Sequence, residues 1–521
     1  MGPSMEFKKF HISYEDTVSF SKLISAYAAE DASFEKFISG FPNKASVLEF
    51  AEQKKEQKID RTALVEVLHE QYQASGLESS QIEKLLSENC FTICAAHQPN
   101  IFSGYLYSIY KIVHAIKMAN SLSESSDYDF LPIFFIGSED HDLEEIGAFN
   151  FHTKSFAWES GLSGACGRMS TESLLPIRDE ILAELNVDVP WLSELIRDAY
   201  DGKRNLTEAT RVFYDGLFGK HGLIIIDADD ERLKKGFMPV VEKELSSQFS
   251  YELVNKRIVE IEEHFKAQVE PREINLFYLE DGMRERILED RNDKLLLANG
   301  DTIEKSALSP KHYSPNVILR PLYQEMILPN VAFIGGGSEV AYWMELKTVF
   351  EEFDIPFPII FQRNSLAILS EKVGGKMKSF ELSDIFHKKD DVLKSLVEDD
   401  ADYQDLESAL EKIKVAYDEA TKKAEGISPN LKVSADAHLA KIDRIQTRLL
   451  QKYRAHLKRN EVDVSNALDL IQGELSPDGK LQERRDNFLT LCDRFGINII
   501  DVLMVHQDPW SKEFLVLIEE G

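Results

Sequence analysis

The chain has 521 residues, too many for one hydrophobic core of ordinary size, so two or three structural units are expected. Asp and Glu number 90 against 60 Lys and Arg, a formal charge of −30 that repels nucleic-acid phosphates and anionic lipid surfaces. No segment approaches the roughly 20 apolar residues that cross a bilayer, and no secretory leader is visible. Four cysteines without paired spacing are typical of a reducing compartment. We therefore expect a cytoplasmic protein with no nucleic-acid or membrane partner.

Short apolar runs alternate with helical patterns along the first three quarters of the chain. Residues 5 to about 90 are polar with helical spacing, and we expect them to be helical. Continuous apolar strands between helices are the signature of a parallel sheet covered on both faces. The expected fold class is doubly wound α/β, with strands at 91–96, 130–136, 222–227, 331–334 and 357–362, and helices at 105–120 and 338–353.

Two insertions and a helical pair interrupt this pattern. Residues 150–220 are expected to be helical, and 270–310 to form an antiparallel meander with turns at Asp281-Gly282, Asn292-Asp293 and Asn299-Gly300. Apolar residues at heptad spacing within 376–460 predict an antiparallel pair of helices, either packed on its own core or projecting as a coiled coil for self-association. The predicted seam consists of Leu406, Leu410, Ile413, Tyr417, Ala420 and Ala424, then Leu439, Ile442, Ile445, Leu449 and Tyr453. The expected units are 5–375, 376–460 and 461–521, the last returning to the core sheet through 495–500 and 514–518.

A glycine-rich turn follows the predicted strand 331–334. Gly335, Gly336 and Gly337 permit close approach of a ligand to the backbone, and Ser338 and Glu339 open the next helix. The first-turn N–H groups of such a helix form an anion site, for which Arg320 and other cations are available. A flexible strand-to-helix turn without a ligand is the alternative.

Two further loops follow predicted strands, where α/β folds place their ligands. In the second loop, Asp140, His141 and Asp142, next to Ser138, are candidates for a general base, for binding an amine or sugar hydroxyls, or for a metal; helix capping is the alternative. The first loop, which contains His97 and Tyr107, has a functional interpretation as a nucleotide or sugar site and a structural interpretation as a proline turn. A zinc site at Cys90, Cys94 and His97 is not expected, because strand alternation separates these side chains and a fourth ligand is missing. The first-loop candidates are His97, Gln98, Asn100, Gly104 and Tyr107.

Four strings in order along the chain resemble the bacillithiol biosynthesis cysteine-adding enzymes, the BshC family. The first loop departs from the family's usual Gln-Gln-Pro-Gly and the glycine turn from its Gly-Gly-Pro-Gly. The resemblance implies a Rossmann-like nucleotidyltransferase core with inserted subdomains and a C-terminal coiled coil that makes a homodimer. The strings are His97-Gln-Pro-Asn-Ile-Phe-Ser-Gly-Tyr-Leu-Tyr-Ser-Ile-Tyr-Lys111, Pro132-Ile-Phe-Phe-Ile-Gly-Ser-Glu-Asp-His-Asp-Leu-Glu-Glu145, Ser314-Pro-Asn-Val-Ile-Leu-Arg-Pro321 and Ile334-Gly-Gly-Gly-Ser-Glu-Val-Ala-Tyr-Trp343.

The resemblance also implies an activity, the joining of L-cysteine to glucosaminyl-malate. An amide does not form from a free carboxylate in water without activation, so ATP is the expected activator, with Mg²⁺ as an optional companion, through an adenylate or acyl phosphate. Asp140 or His141 would take the amine proton. A ligase with a different amine acceptor and a non-catalytic dimeric anion-binding scaffold stay open. The other expected binding residues are His97, Gln98, Asn100, Gly104, Tyr107, Lys111, Ser138, Asp142, Asn316, Arg320, Gly335, Gly336, Gly337, Ser338, Glu339, Tyr342 and Arg363.

Overall fold

The computed structural model describes residues 6–186, 189–398, 400–460, 462–496 and 498–520. The expected unit limits at residues 5, 461 and 521, and Ile497 within the expected return to the core, lie outside this part of the chain. Across the described ranges, no helix has the length and apolar character that a membrane span requires. The expected division at 375 and 460 stays a prediction.

The helices and strands follow one another in mixed order. The strands are β1 (Glu6–Ser13), β2 (Cys90–His97), β3 (Asp129–Ile136), β4 (Ala148–Phe151), β5 (Lys154–Ala157), β6 (Ile224–Asp227), β7 (Leu276–Glu280), β8 (Met283–Arg291), β9 (Lys294–Leu297), β10 (Thr302–Glu304), β11 (Tyr313–Pro315), β12 (Asn330–Gly335), β13 (Ile359–Gln362), β14 (Leu366–Leu369) and β15 (Glu513–Glu520). The helices are α1 (Lys22–Ala28), α2 (Lys44–Lys54), α3 (Arg61–Ala74), α4 (Leu106–Ser123), α5 (Leu143–Ile146), α6 (Leu175–Glu184), α7 (Pro190–Ala199), α8 (Leu206–Phe218), α9 (Glu231–Lys235), α10 (Met238–Ser247), α11 (Phe249–Ile261), α12 (Arg320–Ile327), α13 (Gly337–Met344), α14 (Lys347–Glu351), α15 (Glu371–Met377), α16 (Lys389–Glu398), α17 (Ala401–Ile427), α18 (Pro429–Asn460), α19 (Val462–Leu475), α20 (Phe488–Phe495) and α21 (Ile499–His506).

A parallel sheet organises the N-terminal part of the molecule. Its strands run in the order β13-β12-β2-β3-β6, and each neighbouring pair is parallel. In chain order this is the 3-2-1-4-5 arrangement of a Rossmann-type sheet. The strand order reverses between β2 and β12, which places a crevice at their carboxyl ends. The expected strands and the doubly wound α/β class are confirmed.

Both faces of this sheet are buried. Along β2, Cys90 and Cys94 pack into one core, whereas Phe91, Ile93 and Ala95 pack into the other. Alternate residues of a strand point to opposite faces, so a sheet covered on both sides needs apolar residues at every position. This requirement explains why the strands stand out in the sequence.

The inserted segments differ in how well they match expectation. The meander is antiparallel as predicted, in the order β10-β9-β8-β7, and β11 extends it beside β7. The segment expected to be helical from 150 instead opens with the hairpin of β4 and β5 before α6 to α8. The single helix expected at 338–353 is divided into α13 and α14.

The chain ends meet in a second sheet. β15 pairs antiparallel with β1 and parallel with β14. The N-terminal region is therefore not wholly helical, and the last strand does not join the parallel sheet. The strand expected at 495–500 is not found among its described residues either, since α20 ends at Phe495 and α21 begins at Ile499.

The helical pair exists, and its seam differs from the prediction only in part, at Ile413, Ala420, Ile445 and Leu449. Helices α17 and α18 lie side by side, and Gln446 donates a hydrogen bond to the carbonyl of Leu410 across the pair. Ile413 and Ile445, assigned to the seam, are 52% and 66% exposed. Buried and half-buried residues along α17 are spaced by steps of 3-4-4-3-4. A strict heptad alternates steps of three and four, so two consecutive four-residue steps move the predicted positions off the buried face. The side chains on that face are Tyr403, Leu406, Leu410, Lys414, Tyr417 and Thr421.

Candidate functional site

A large cavity lies at the strand-order reversal. Its volume is about 870 Å³, large enough for a small-molecule substrate. β2 contributes His97, β12 leads into Gly336 and Gly337, and the loop after β3 contributes Asp140. All three expected loops therefore converge, as the ligand rule for open parallel sheets predicts.

Most of the expected site residues line this cavity. Helix α4 brings Tyr107 and Lys111, α12 begins with Arg320, and α13 carries Tyr342. Asn316 lies in the turn before α12, where its backbone carbonyl accepts from the Arg320 N–H at 2.8 Å. The expected residues that line the cavity are His97, Gln98, Tyr107, Lys111, Asp140, His141, Asn316, Arg320, Gly336, Gly337, Ser338, Glu339, Tyr342 and Arg363.

The remaining expected residues lie outside the lining. Asn100 is buried beneath Gly104, whose φ is +62° and where a Cβ would lie 2.8 Å from the Asn100 Cβ. Ser138 donates to the Asp227 carboxylate below the cavity floor. Asp142 caps α5 by accepting from the Glu145 N–H at 3.1 Å. These contacts give the three side chains and this glycine roles in shaping the loops.

Gly335 also lies outside the lining. Its carbonyl accepts from the Arg363 N–H at 2.7 Å, and a Cβ there would lie 2.9 Å from the Phe333 ring. Close packing therefore favours glycine at this position.

Asp140 is the centre of a charged cluster. Its carboxylate accepts from Gln98 Nε2 at 2.9 Å and faces Arg284 at 3.7 Å and Arg320 at 3.9 Å. Burial by itself would raise the pKa of Asp140, but Arg320, Arg284 and the Gln98 hydrogen bond outweigh it and lower the pKa from 3.8 to about 2. Asp140 is thus an anion at neutral pH that suits binding an ammonium group better than accepting a proton.

His141 is held in one tautomer by the meander. Arg284, from β8, points its guanidinium at His141 Nδ1 with a separation of 2.8 Å. Arginine can only donate, so Nδ1 is the acceptor and the ring proton is on Nε2. The neutral imidazole can therefore donate from Nε2 to a ligand.

The Arg284 guanidinium is itself held by a chain of hydrogen bonds. Its Nε donates to Ser314 Oγ at 3.2 Å, and Ser314 donates to Glu139 at 3.0 Å. Burial, and then the neighbouring Arg320, lower the pKa of Arg284 to about 10, so it remains cationic at neutral pH. Arg284 was absent from the expected set.

A partly buried ion pair lies at the opposite side of the crevice. Lys111 pairs with Glu339 and donates to the Ala96 carbonyl at 3.1 Å. Burial lowers the pKa of His97 to about 4, with Lys111 adding to the effect, so the ring is neutral at pH 7. His97 lies against Tyr107, with 5.3 Å between ring centroids. This side of the cavity presents neutral aromatic surface over an internally compensated charge pair.

Comparison with models of known protein families identifies the family of this chain. A family model described as "Bacillithiol biosynthesis BshC, N-terminal Rossmann-like domain" matches residues 5–364, and one described as "Bacillithiol biosynthesis BshC, C-terminal coiled-coil domain" matches residues 366–519. The chain belongs to the BshC family. The resemblance drawn from the four strings is confirmed.

The similarity to individual BshC proteins extends over nearly full length. A relative from Flavobacterium johnsoniae, named "Putative cysteine ligase BshC", is 37% identical and covers 97% of this chain and 99% of its own. Relatives with the same name from Flavobacterium psychrophilum and Christiangramia forsetii are each 34% identical, and each covers 97% of this chain and 98% of its own.

The glycine turn of this BshC chain places the first turn of α13 at the cavity. Gly336, Gly337 and Ser338 line the cavity where α13 begins, and the first-turn N–H groups of a helix attract anions. Gly336 has φ −73°, which any residue can adopt. The Gly336 N–H is already bonded to Glu339 at 2.7 Å, so a ligand would use the N–H groups that follow it.

Arg363 lines the cavity but is bonded to another part of the protein. Its guanidinium forms a bidentate pair with Glu483, both contacts at 2.7 Å. Glu483 belongs to the part of the chain that follows the helical pair. Its neighbour Arg484 is half exposed, at 46%, and lines the cavity. The BshC C-terminal region thus takes part in building the site.

Several residues that sequence reasoning missed are arginines from the inserted meander and the C-terminal region. Arg284 and Arg286 are two residues apart on one strand, so they share a face; this pairing was the available signal. Which face turns toward the cavity depends on how the meander packs. Within the described ranges, no group of three or more His, Cys, Asp or Glu side chains is arranged to hold a metal ion. The missed lining residues include Tyr105, Glu145, Arg272, Arg284, Arg286, Gln324 and Arg484.

Proposed function

We propose that this protein is a ligase that joins the carboxylate of L-cysteine to the amino group of glucosaminyl-malate in bacillithiol biosynthesis. The observation that carries the proposal is the BshC match along the whole chain, with relatives named as cysteine ligases. The cavity supports it because an anionic group and two cationic groups meet in its lining. An amino sugar that bears a dicarboxylate needs both kinds of partner.

The charged cluster suggests how the amino sugar is bound. Asp140 is the carboxylate available to hold an ammonium group, while Arg284 and Arg320 offer guanidinium groups to the malate carboxylates. Arginine suits this task because its fork of N–H groups matches a carboxylate. In this proposal His141 donates from Nε2 to the oxygen on which negative charge develops, and its Arg284 contact keeps that tautomer. The ammonium group loses a proton to solvent and attacks as the free amine, because Asp140 remains an anion.

A nucleotide would supply the activation that turns the cysteine carboxylate into an acylating group. Gly336, Gly337 and Ser338 would hold its phosphates, and His97 and Tyr107 offer a flat apolar surface for its base. Neutral His97 favours this stacking because no charge has to be desolvated. These residues orient the ligand and exclude water from the acyl carbon. Mg²⁺ would enter with the phosphates.

The helical pair is proposed to make a homodimer. Apolar side chains on its outer surface remain exposed although the pair is otherwise strongly charged, and a second copy would cover them. We place the protein in the cytoplasm, which suits its four free and buried cysteines. The exposed residues are Ile413, Val415, Ile427, Leu431, Val433, Ile445 and Leu449.

Product formation tests the proposal. Purified protein is incubated with L-cysteine, glucosaminyl-malate, ATP and Mg²⁺, and the new thiol is measured by mass spectrometry, with each component omitted in turn. We expect product only when cysteine and the amino sugar are both present. If folded protein yields a product with another amine but none with glucosaminyl-malate, the acceptor is wrong. Binding of an anion without product in any combination supports a scaffold.

A further inference from the structure

The loop between β2 and α4 has an unusual backbone. Phe102, Ser103 and Gly104 have φ of 49°, 70° and 62° in succession. Residues with a Cβ avoid this left-handed region, and such conformations persist only where the surroundings fix them. The loop begins at His97 and leads into the helix that carries Lys111, so its shape sets one wall of the cavity.

The contacts that fix this loop come partly from the far end of the chain. The side-chain amide of Asn487 donates to the carbonyl of Phe102 at 2.8 Å and to the carbonyl of Gly104. From the inserted helical segment, Tyr200 Oη accepts from the Phe102 N–H at 2.8 Å. The left-handed residues are therefore bonded on both sides of the turn.

Asn487 uses its hydrogen-bonding groups fully in this position. Its two N–H groups serve the two loop carbonyls, and its Oδ1 accepts from the Leu489 N–H at 2.8 Å, capping α20. The side chain is completely buried. An asparagine supplies two amide donors and the capping acceptor, whereas aspartate supplies only the cap and serine has one hydroxyl proton on a shorter side chain.

The same segment also completes helix α4. Its first N–H, from Leu106, donates to the backbone carbonyl of Asp486 at 2.9 Å. Within the described chain, the N-cap of α4 makes no side-chain hydrogen bond. The carbonyl of Asp486 thus satisfies an N–H that the helix itself leaves open, at the end of the helix nearest Tyr107.

We propose that Asn487, which follows the helical pair of α17 and α18, is a positioning residue that holds the left-handed turn of the first loop and so sets the cavity wall formed by His97, Tyr107 and Lys111. The effect on catalysis rests on the proposed function, whereas the effect on the loop does not. The N-terminal Rossmann-like region would accordingly depend on the C-terminal region for a finished site.

Hydrogen–deuterium exchange of the full-length protein tests the inference without any substrate. Asn487→Ser keeps a helix cap but removes both amide donors. Asn498→Ser is the matched control, because Asn498 caps α21 in the same way, accepting from the Ile500 N–H at 3.1 Å. We expect peptides covering residues 98–106 to exchange about tenfold faster in Asn487→Ser, since buried carbonyls lose their partners. The control should match the wild type there.

Turnover provides the second readout. We expect kcat/KM for glucosaminyl-malate to fall at least about tenfold in Asn487→Ser and to stay within about twofold in Asn498→Ser. Equal exchange of residues 98–106 in both variants overturns the inference, whatever the activities are. If wild-type protein makes no product, the proposed function fails while the exchange comparison still decides this inference. If Asn487→Ser does not fold, exchange of the same peptides is measured in Asn487→Asp. This variant retains the volume and the cap but has no amide donors.

Discussion

Removing Arg284 should disable the charged cluster as a unit. Arg284 lies 3.7 Å from Asp140 and 2.8 Å from His141 Nδ1, and both charged groups are largely buried. At an effective dielectric constant of about 20, a pair at this separation interacts by about 4 kcal/mol. Arg284→Met keeps much of the volume but leaves Asp140 with Arg320 as its remaining cation, and frees the histidine to change tautomer.

We expect Arg284→Met to lower kcat/KM for glucosaminyl-malate by about 100-fold to 1000-fold, the usual cost of losing one charge-stabilising donor. Asp140→Asn should cost a similar factor. Because the two side chains act on the same ligand and on each other, the double variant should be little worse than the poorer single one. Arg291→Met, on the same strand but 54% exposed, should stay within about twofold of wild type.

Kinetics of the four proteins by mass-spectrometric product assay, with thermal denaturation to verify folding, complete the cycle. If the penalties of the two single variants multiply in the double variant, the side chains act independently and the cluster interpretation is refuted. Full activity of Arg284→Met would remove this residue from the site altogether.

Three further predictions concern charge and association. Burial raises the pKa of Glu345 from 4.5 to about 7. Its contribution to stability, about 3 kcal/mol, is therefore complete below pH 4.5 and is lost as the pH rises through 7. In Glu345→Gln the melting temperature should fall less between pH 5 and pH 8 than in wild type, and an equal fall would contradict this. Lys111→Met removes the cation beside Glu339, whose side chain is 24% exposed and keeps its bond from the Gly336 N–H, and should lower the free energy of unfolding by about 1–3 kcal/mol in urea titrations. The loss should exceed that of Lys117→Met, whose partner is a carbonyl; equal losses would argue against the ion pair. Ile445→Glu should shift the sedimenting species from dimer to monomer while Thr447→Glu on the opposite side of the helix should not, and a dimer in both would place the interface elsewhere.

The parallel sheet was predictable because its strands are buried on both faces, which leaves uninterrupted apolar runs such as 130–136. β1 was not predictable in this way. Its partner, β15, lies some 500 residues later in the chain, and its own alternation is interrupted by lysines. A strand whose stability comes from so distant a partner carries little local signal.

The site shows the same division between local and long-range information. The convergence of the loops containing His97, Asp140 and Gly336 follows from a rule about strand ends, so the sequence sufficed. Arg284 and Asn487 depend on how an insertion and the C-terminal region pack against those loops. The spacing of Arg284 and Arg286 predicts a shared face of β8, but no residue near Arg284 or Asn487 predicts which loop either side chain contacts.

The most direct test of the central claim is the thiol profile of cells, because it does not depend on knowing the activating nucleotide. Bacillithiol and glucosaminyl-malate are measured by mass spectrometry in a strain lacking this gene and in strains complemented with wild type, Arg284→Met or Arg291→Met. We predict loss of bacillithiol and accumulation of glucosaminyl-malate, both reversed by wild type and Arg291→Met but not by Arg284→Met. Unchanged bacillithiol in the deletion strain, with no accumulation of the precursor, would contradict the assignment of this chain to the cysteine-adding step.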